Sequence, residues 1–202
     1  MANVQQISCY IIGITGKSGS GKTTVANILK KYDFPVFDVD CYSKQFIKNN
    51  PIVFEHLNQF INITALDFKK IGKFFDIYPD KEKEFNIWYQ PFIGEKIKEY
   101  IFNARLLNSG LYFFDIPQVV QKEIIQFFDH IWLLETNDEI CFERIKRRNK
   151  YSDKKIYSLI EDSSMTISSQ SHTKIFNNGT IGVLEISILK NIEMLKKKFN
   201  IE

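Results

Sequence analysis

The chain reads as an α/β protein: a parallel β-sheet covered by helices on both faces, three layers in all, with an inserted helical lobe and a helical lid. Three observations predict this. Short apolar runs alternate with stretches of helical periodicity, the pattern of repeated strand-helix-strand units. The first apolar run breaks into "GKSGSGKT", a loop of glycines, lysines and hydroxyls, and the chain then resumes as a helix. Residues 51–108 stay helical far beyond the length of a plain crossover, which marks them as an insertion.

Taken in order, Tyr10 to Ile14 is a buried apolar strand and Thr23 to Lys30 a helix, so the glycines fall at a strand-to-helix turn. Val36 to Val39 in "FPVFDVD" is a second strand that ends in Asp38 and Asp40, and the usual crossover places it beside the first. From Pro51 to Asn108 the pattern is helical. "TALDFKKIGKFF" opens with a Thr64/Asp67 capping spacing, and "EKEFNIWYQPFIGEKIKEYIFNARLL" repeats apolar residues every three or four positions. Pro91 is expected to kink or divide that last segment. Its stripe Phe85, Trp88, Tyr89 and Phe92 has helical spacing and reads as core. Leu111 to Pro117 is a third strand and His130 to Glu135 a fourth, each followed by a helical pattern; the one after the fourth opens with a Thr136/Glu139 capping box. Thr173 to Phe176 is a short fifth strand, after which "NNGT" turns the chain into a helix from Ile181 to Phe199. In such a sheet the site lies at the carboxyl ends of the strands.

Composition narrows the function classes. The 202 residues support one substantial core without a linker or low-complexity tract, so 1–202 is expected to be a single domain. Within it, 1–50 and 109–202 form a nucleotide-binding core, 51–108 a helical substrate lobe and 137–168 a lid. No apolar run approaches the roughly 18 residues of a membrane-spanning helix. The start lacks a secretory pattern, so the cytoplasm is the expected compartment. Cys9, Cys41 and Cys141 have no metal-type spacing and read as reduced thiols. A net charge of +3 is too small to imply a nucleic-acid face. His56, His130 and His172 share no ligand spacing and read as structural.

The chemistry concentrates in Gly16, Lys17, Ser18, Gly19, Ser20, Gly21, Lys22 and Thr23, which satisfy G-x-x-x-x-G-K-[ST]. Glycines let backbone N–H groups wrap a phosphate, and the helix behind them presents its positive end, where Thr24 follows. Lys22 reaches the β- and γ-phosphates and the Thr23 hydroxyl ligates Mg²⁺, so a nucleotide with its Mg²⁺ is the expected ligand. Asp40 suits the carboxylate that takes a proton from an attacking hydroxyl, while Asp38 and Asp115, each near a strand end, suit Mg²⁺. Arg144 and Arg148 stand four apart on one helix, with Lys146 and Arg147 beside them, and so can clamp a polyphosphate from one face.

Together these residues resemble the dephospho-CoA kinases, and the resemblance runs roughly from Ile11 to Leu195. "GITGKSGSGKTTVANIL" is similar to that family's glycine loop and "FPVFDVDCYSKQ" to its acid motif, with Asp40 at the position of the base. "FFDIP" resembles a family strand that runs into a proline, "CFERIKRRNKYS" the lid, and "IFNNGT" the penultimate strand and its turn. The resemblance implies a P-loop kinase fold and ATP-dependent phosphorylation of the ribose 3′-hydroxyl of dephospho-CoA. It also implies nucleotide contacts from Arg144, Arg148 and Asn178. The small-molecule acceptor would be the partner of a monomer or weak homo-oligomer, with no nucleic acid and no membrane. Departures from the family pattern cluster on the acceptor side: Gln118, Val119, Val120 and Gln121 after Pro117, Gln90 before Pro91, Lys69 and Lys70 in place of an arginine near Phe68, Cys141 at the lid's start and Ser163 beyond it; within the loop, Lys17 and Ser18 stand in place of a Gly-Ile pair. Two alternatives therefore stand beside this reading, a P-loop kinase for another nucleoside-like acceptor and a non-catalytic nucleotide-binding protein.

Overall fold

The structure, a computed structural model, describes residues 9–63, 65–107, 110–116, 124–148, 151–161 and 172–201. Along the chain come β1 (Cys9–Gly16), α1 (Lys22–Lys31), β2 (Val36–Asp38), α2 (Val39–Asn49), α3 (Pro51–Phe60), α4 (Phe68–Ile77) and α5 (Pro79–Leu107). Then follow β3 (Gly110–Asp115), a 3₁₀ turn (Ile125–Phe127), β4 (His130–Glu135), α6 (Asp138–Arg148), α7 (Asp153–Glu161), β5 (His172–Phe176) and α8 (Ile181–Phe199). The strands form one wholly parallel sheet in the order β2-β3-β1-β4-β5. No helix among the described residues is long and apolar enough to cross a membrane.

A parallel sheet buries both faces, so its central strands must be apolar on both sides. β1 meets this with Ile11 on one face and Ile12 and Ile14 on the other, all at 0% exposure. β3 splits Phe114 and Phe113 the same way. The Ile11 face is covered by α2 to α5, through residues such as Val53, Leu57, Tyr89, Ile93 and Ile97. The Ile12 face is covered by α1 and α8 through Val25, Leu29, Leu184 and Ile188. α6 and α7 keep a small core of their own, Cys141, Ile145, Ile156 and Ile160.

Two elements match their expected bounds, β4 at His130–Glu135 and α8 at Ile181–Phe199. β1, α1 and β5 contain the expected runs and extend one or two residues beyond them, and in other places the structure corrects the expectation. β2 does not lie beside β1: it pairs with β3, Asp38 opposite Asp115, and β3 stands between them. The doubly buried Phe113 and Phe114 suit β3 to an interior place, whereas the three half-buried residues of β2 suit an edge. β2 also stops at Asp38, because its carboxylate accepts the Cys41 N–H at 2.8 Å and starts α2 at Val39. Asp40 therefore belongs to a helix's first turn. Pro91 does not divide α5, which runs unbroken from Pro79 to Leu107. One backbone hydrogen bond is lost there, but Tyr89, Ile93 and Ile97 are buried on both sides of the proline, and that packing outweighs it.

Thr64 of the expected capping box lies outside the described residues. Asp67 is itself the cap of α4, accepting the N–H groups of Lys69 at 2.9 Å and Lys70 at 3.2 Å. The helical pattern after the third strand falls largely on 117–123, and the lid's far end on 162–168, both outside the described residues.

Candidate active site

β1 ends at Gly16 and α1 begins at Lys22, so the motif forms the loop between them. Gly19 has φ +80° and a Cβ there would lie 2.8 Å from the Cys141 carbonyl oxygen; Gly21 has φ +102° and its Cβ would overlap Asn177 Nδ2. Glycine alone meets both the conformation and the space. α1 carries no side-chain cap, which leaves its first N–H groups and the positive end of its dipole to an anion. Ser20 is fully buried, and its Oγ finds no partner among the described residues. These features fit a phosphate cradle.

Lys22 donates from Nζ to the carbonyls of Gly16 at 2.9 Å and Lys17 at 3.2 Å, so it lies folded along its own loop. Burial lowers its pKa, and the carboxylates of Asp115 and Asp40 pull it back up. Thr23, in the first turn of α1, is exposed, while Thr24 and Ser18 are half-buried. Lys17 points its side chain away to Asp138 at 2.7 Å, at the start of α6.

The acids gather at the strand ends. Asp38 and Asp115 are register partners on adjacent strands, about 4.8 Å apart across the sheet. Burial pushes the Asp115 carboxyl up to about 6, opposed by Lys22 and reinforced by Asp40 and Asp38. Asp40 is exposed in the first turn of α2, and partial desolvation first and then the neighbouring Asp38 raise its pKa, against Lys44 and Lys22. Lys22 thus shares its surroundings with the carboxyl groups of Asp115 and Asp40, and Asp38 neighbours both of these. That surplus of hard oxygen donors fits a divalent cation.

The lid side meets the loop through hydrogen bonds. Arg144 donates from Nη1 to the Gly19 carbonyl at 3.3 Å and the Ser20 carbonyl at 3.5 Å, and from Nη2 to the Asn177 carbonyl at 3.1 Å. Arg148, one turn further along α6, is exposed and bonds to no described residue. Asn178 accepts the Asn137 N–H at 2.9 Å and so steadies the entry to α6. Thr136 is not the cap expected of it: α6 starts at Asp138, and the Thr136 hydroxyl, buried, donates to the Ser20 carbonyl at 3.2 Å. Thr136 stands two residues before the helix, one place ahead of the cap position, which Asn137 takes.

Sequence reading missed Asn177, which donates from Nδ2 to the same Ser20 carbonyl at 2.7 Å and is only 5% exposed. The signal was the paired asparagine of "NNG", and burial, which distinguishes the two, is not written in the spacing.

Comparison with known proteins agrees with this geometry. Residues 10–181 match the family model described as dephospho-CoA kinase. A dephospho-CoA kinase of Staphylococcus haemolyticus is 28% identical over 167 residues, 79% of this chain and 78% of the relative. One from Staphylococcus epidermidis is 27% identical over 166 residues, with 79% and 78% covered. Among solved structures, TT1252 from Thermus thermophilus superposes with a TM-score of 0.71 at 23% identity, covering 93% of this chain and 98% of that one. A dephospho-CoA kinase from Campylobacter jejuni superposes with a TM-score of 0.66 at 19% identity, covering 94% and 98%. At these identities the superpositions establish the fold, a P-loop kinase sheet.

Proposed function

The chain belongs to the dephospho-CoA kinase family, and on that premise we propose how its residues carry the family's reaction, the ATP-dependent phosphorylation of dephospho-CoA. The protein is a kinase: ATP supplies the γ-phosphoryl group, and coenzyme A and ADP are the products. The acceptor atom is the ribose 3′-hydroxyl and its base is Asp40.

One observation carries this reading: Asp40 is reachable from solvent, has a raised proton affinity and lies within the electrostatic reach of Lys22. A carboxylate at the mouth of the phosphate loop can orient a hydroxyl and receive its proton as phosphoryl transfer proceeds. Lys22 exchanges its bonds to the Gly16 and Lys17 carbonyls for the β- and γ-phosphates, and the loop from Gly16 to Thr23 holds those phosphates by backbone N–H groups. Lys17 and Ser18 contribute backbone here, since the Lys17 side chain is turned to Asp138.

Mg²⁺ is the cation that the acids await. Bound, it would neutralise charge on the transferring phosphoryl. Among the described residues no three His, Cys, Asp or Glu side chains are grouped to enclose a metal on their own. Thr23, Asp38 and Asp115 would hold the ion, with phosphate oxygens and water completing its shell, the usual arrangement for this small, reluctantly dehydrated cation.

Arg144 and Arg148 close over the polyphosphate as part of a lid spanning 137–168, and Asn178 supports the nucleotide side by holding the entry to α6. The lobe 51–108 receives the acceptor, within a single domain whose nucleotide core is 1–50 and 109–202. Closure would exclude water and limit wasteful ATP hydrolysis. The enzyme works in the cytoplasm as a monomer or weak homo-oligomer, without nucleic-acid or membrane partners; the free thiols of Cys9, Cys41 and Cys141 support a reducing compartment.

The test is ADP release from purified protein and Mg·ATP, with and without dephospho-CoA, with the product weighed by mass spectrometry. A rate that depends on dephospho-CoA and a product heavier by one phosphoryl group are expected. ADP or ATP binding without that product would instead favour another hydroxyl acceptor, to be sought among nucleosides and nucleotides.

A further inference from the structure

The Ser20 carbonyl is the most heavily bonded point of the phosphate loop. Asn177 Nδ2 reaches it at 2.7 Å from the end of β5, Thr136 Oγ1 at 3.2 Å from the end of β4, and Arg144 Nη1 at 3.5 Å from α6. A carbonyl has two lone pairs, so three converging donors saturate it. The Ser20–Gly21 peptide is planar, and a carbonyl fixed toward the β4 and β5 ends aims the Gly21 N–H the opposite way. Asn177 also fills the place where a side chain at residue 21 would project. Its remaining groups are engaged as well: its N–H donates to the Glu135 carbonyl at 2.9 Å, and its Oδ1 accepts from Arg144 Nη2 at 3.4 Å. A buried polar network with every member satisfied is rigid, and rigidity in a binding loop lowers the ordering cost of binding.

We propose that Asn177 is a positioning residue of the nucleotide site, holding the phosphate loop in its binding shape through the Ser20 carbonyl, with Thr136 as its second support. The inference rests on the reading above only in taking Gly16 to Thr23 as the ATP-phosphate site. It does not depend on the acceptor. The test uses Asn177→Leu, which keeps the side chain's shape and removes its amide, and Thr136→Val, which removes the hydroxyl. Mg·ADP affinity is measured by calorimetry without acceptor, melting is followed without nucleotide, and steady-state constants are then taken with ATP and dephospho-CoA.

Asn177→Leu should weaken Mg·ADP about 10-fold and Thr136→Val about 3-fold, the worth of one strong and one weaker buried hydrogen bond. KM for ATP should rise in step while KM for dephospho-CoA stays within twofold. Mg·ADP affinity within twofold of wild type in either folded variant would overturn the proposal. So would a rise in KM for dephospho-CoA equal to that for ATP, which would mean general loosening. If Asn177→Leu does not fold, Thr136→Val decides. Wild-type protein that binds Mg·ADP but does not phosphorylate dephospho-CoA would refute the acceptor and leave this inference intact.

Discussion

The phosphate loop and the helical lobe α3–α5 are built on different principles. The loop works through backbone: three glycines at positive φ, an uncapped helix start, and a carbonyl under three donors. The lobe works through side chains. Trp88 stacks on His56 with centroids 3.8 Å apart, Phe85 on Tyr89 at 5.4 Å, and a polar link to α2 is the Tyr89 hydroxyl beside Ser43 Oγ at 2.9 Å. Backbone recognition dictates which residue stands at each place, whereas ring packing asks only for volume and periodicity.

If that division holds, substitutions on one side should leave the other's readout alone. The largest effect is expected from Lys22→Met, which removes the loop's half-buried cation: turnover should fall by about 10³-fold or more and Mg·ADP affinity by about 10-fold, measured by initial rates and calorimetry. Ile93→Ala, at 0% exposure in the lobe's core, should cost about 3 kcal/mol in denaturant unfolding yet leave Mg·ADP affinity within twofold. A parallel loss of affinity would break the comparison.

Asp115→Asn sharpens it through pH. The folded-state pKa of Asp115, about 6, lies above its unfolded value, so the fold disfavours the charged form. Stability is therefore fully present below the unfolded value, near 3.8, and is lost as pH rises through about 6. Without Mg²⁺, the asparagine variant should melt higher than wild type at pH 8 by about 2–5 °C, from on the order of 1–2 kcal/mol of relieved burial, and the gain should have closed by pH 4. The smallest effect is expected from Lys17→Ala. Its exposed ion pair with Asp138 is worth under about 1 kcal/mol, and Mg·ADP affinity should change less than threefold if Lys17 serves through its backbone.

Much of this was legible beforehand. β4 and α8 were readable to the residue because turn and capping signals flank their apolar runs, as Thr180 caps α8 by accepting the Val183 N–H. The loop was readable because its chemistry is a spacing. Sheet order was not, since which of β2 or β3 sits beside β1 depends on competing burial across the whole sheet. Thr136 misled because a threonine before a helix has the same spacing whether its hydroxyl serves the helix or a loop 116 residues away. Asn177 and Asn178 differ only in which of them the fold buries.

The most direct test of the division of labour is Asp40→Asn, with kcat and Mg·ADP affinity measured on one preparation. A fall in kcat of about 10³-fold or more with affinity held within twofold is predicted if, as proposed, Asp40 serves the acceptor hydroxyl and not the nucleotide. Turnover surviving the change would remove Asp40 as the base. Affinity falling with turnover would return it to the nucleotide side.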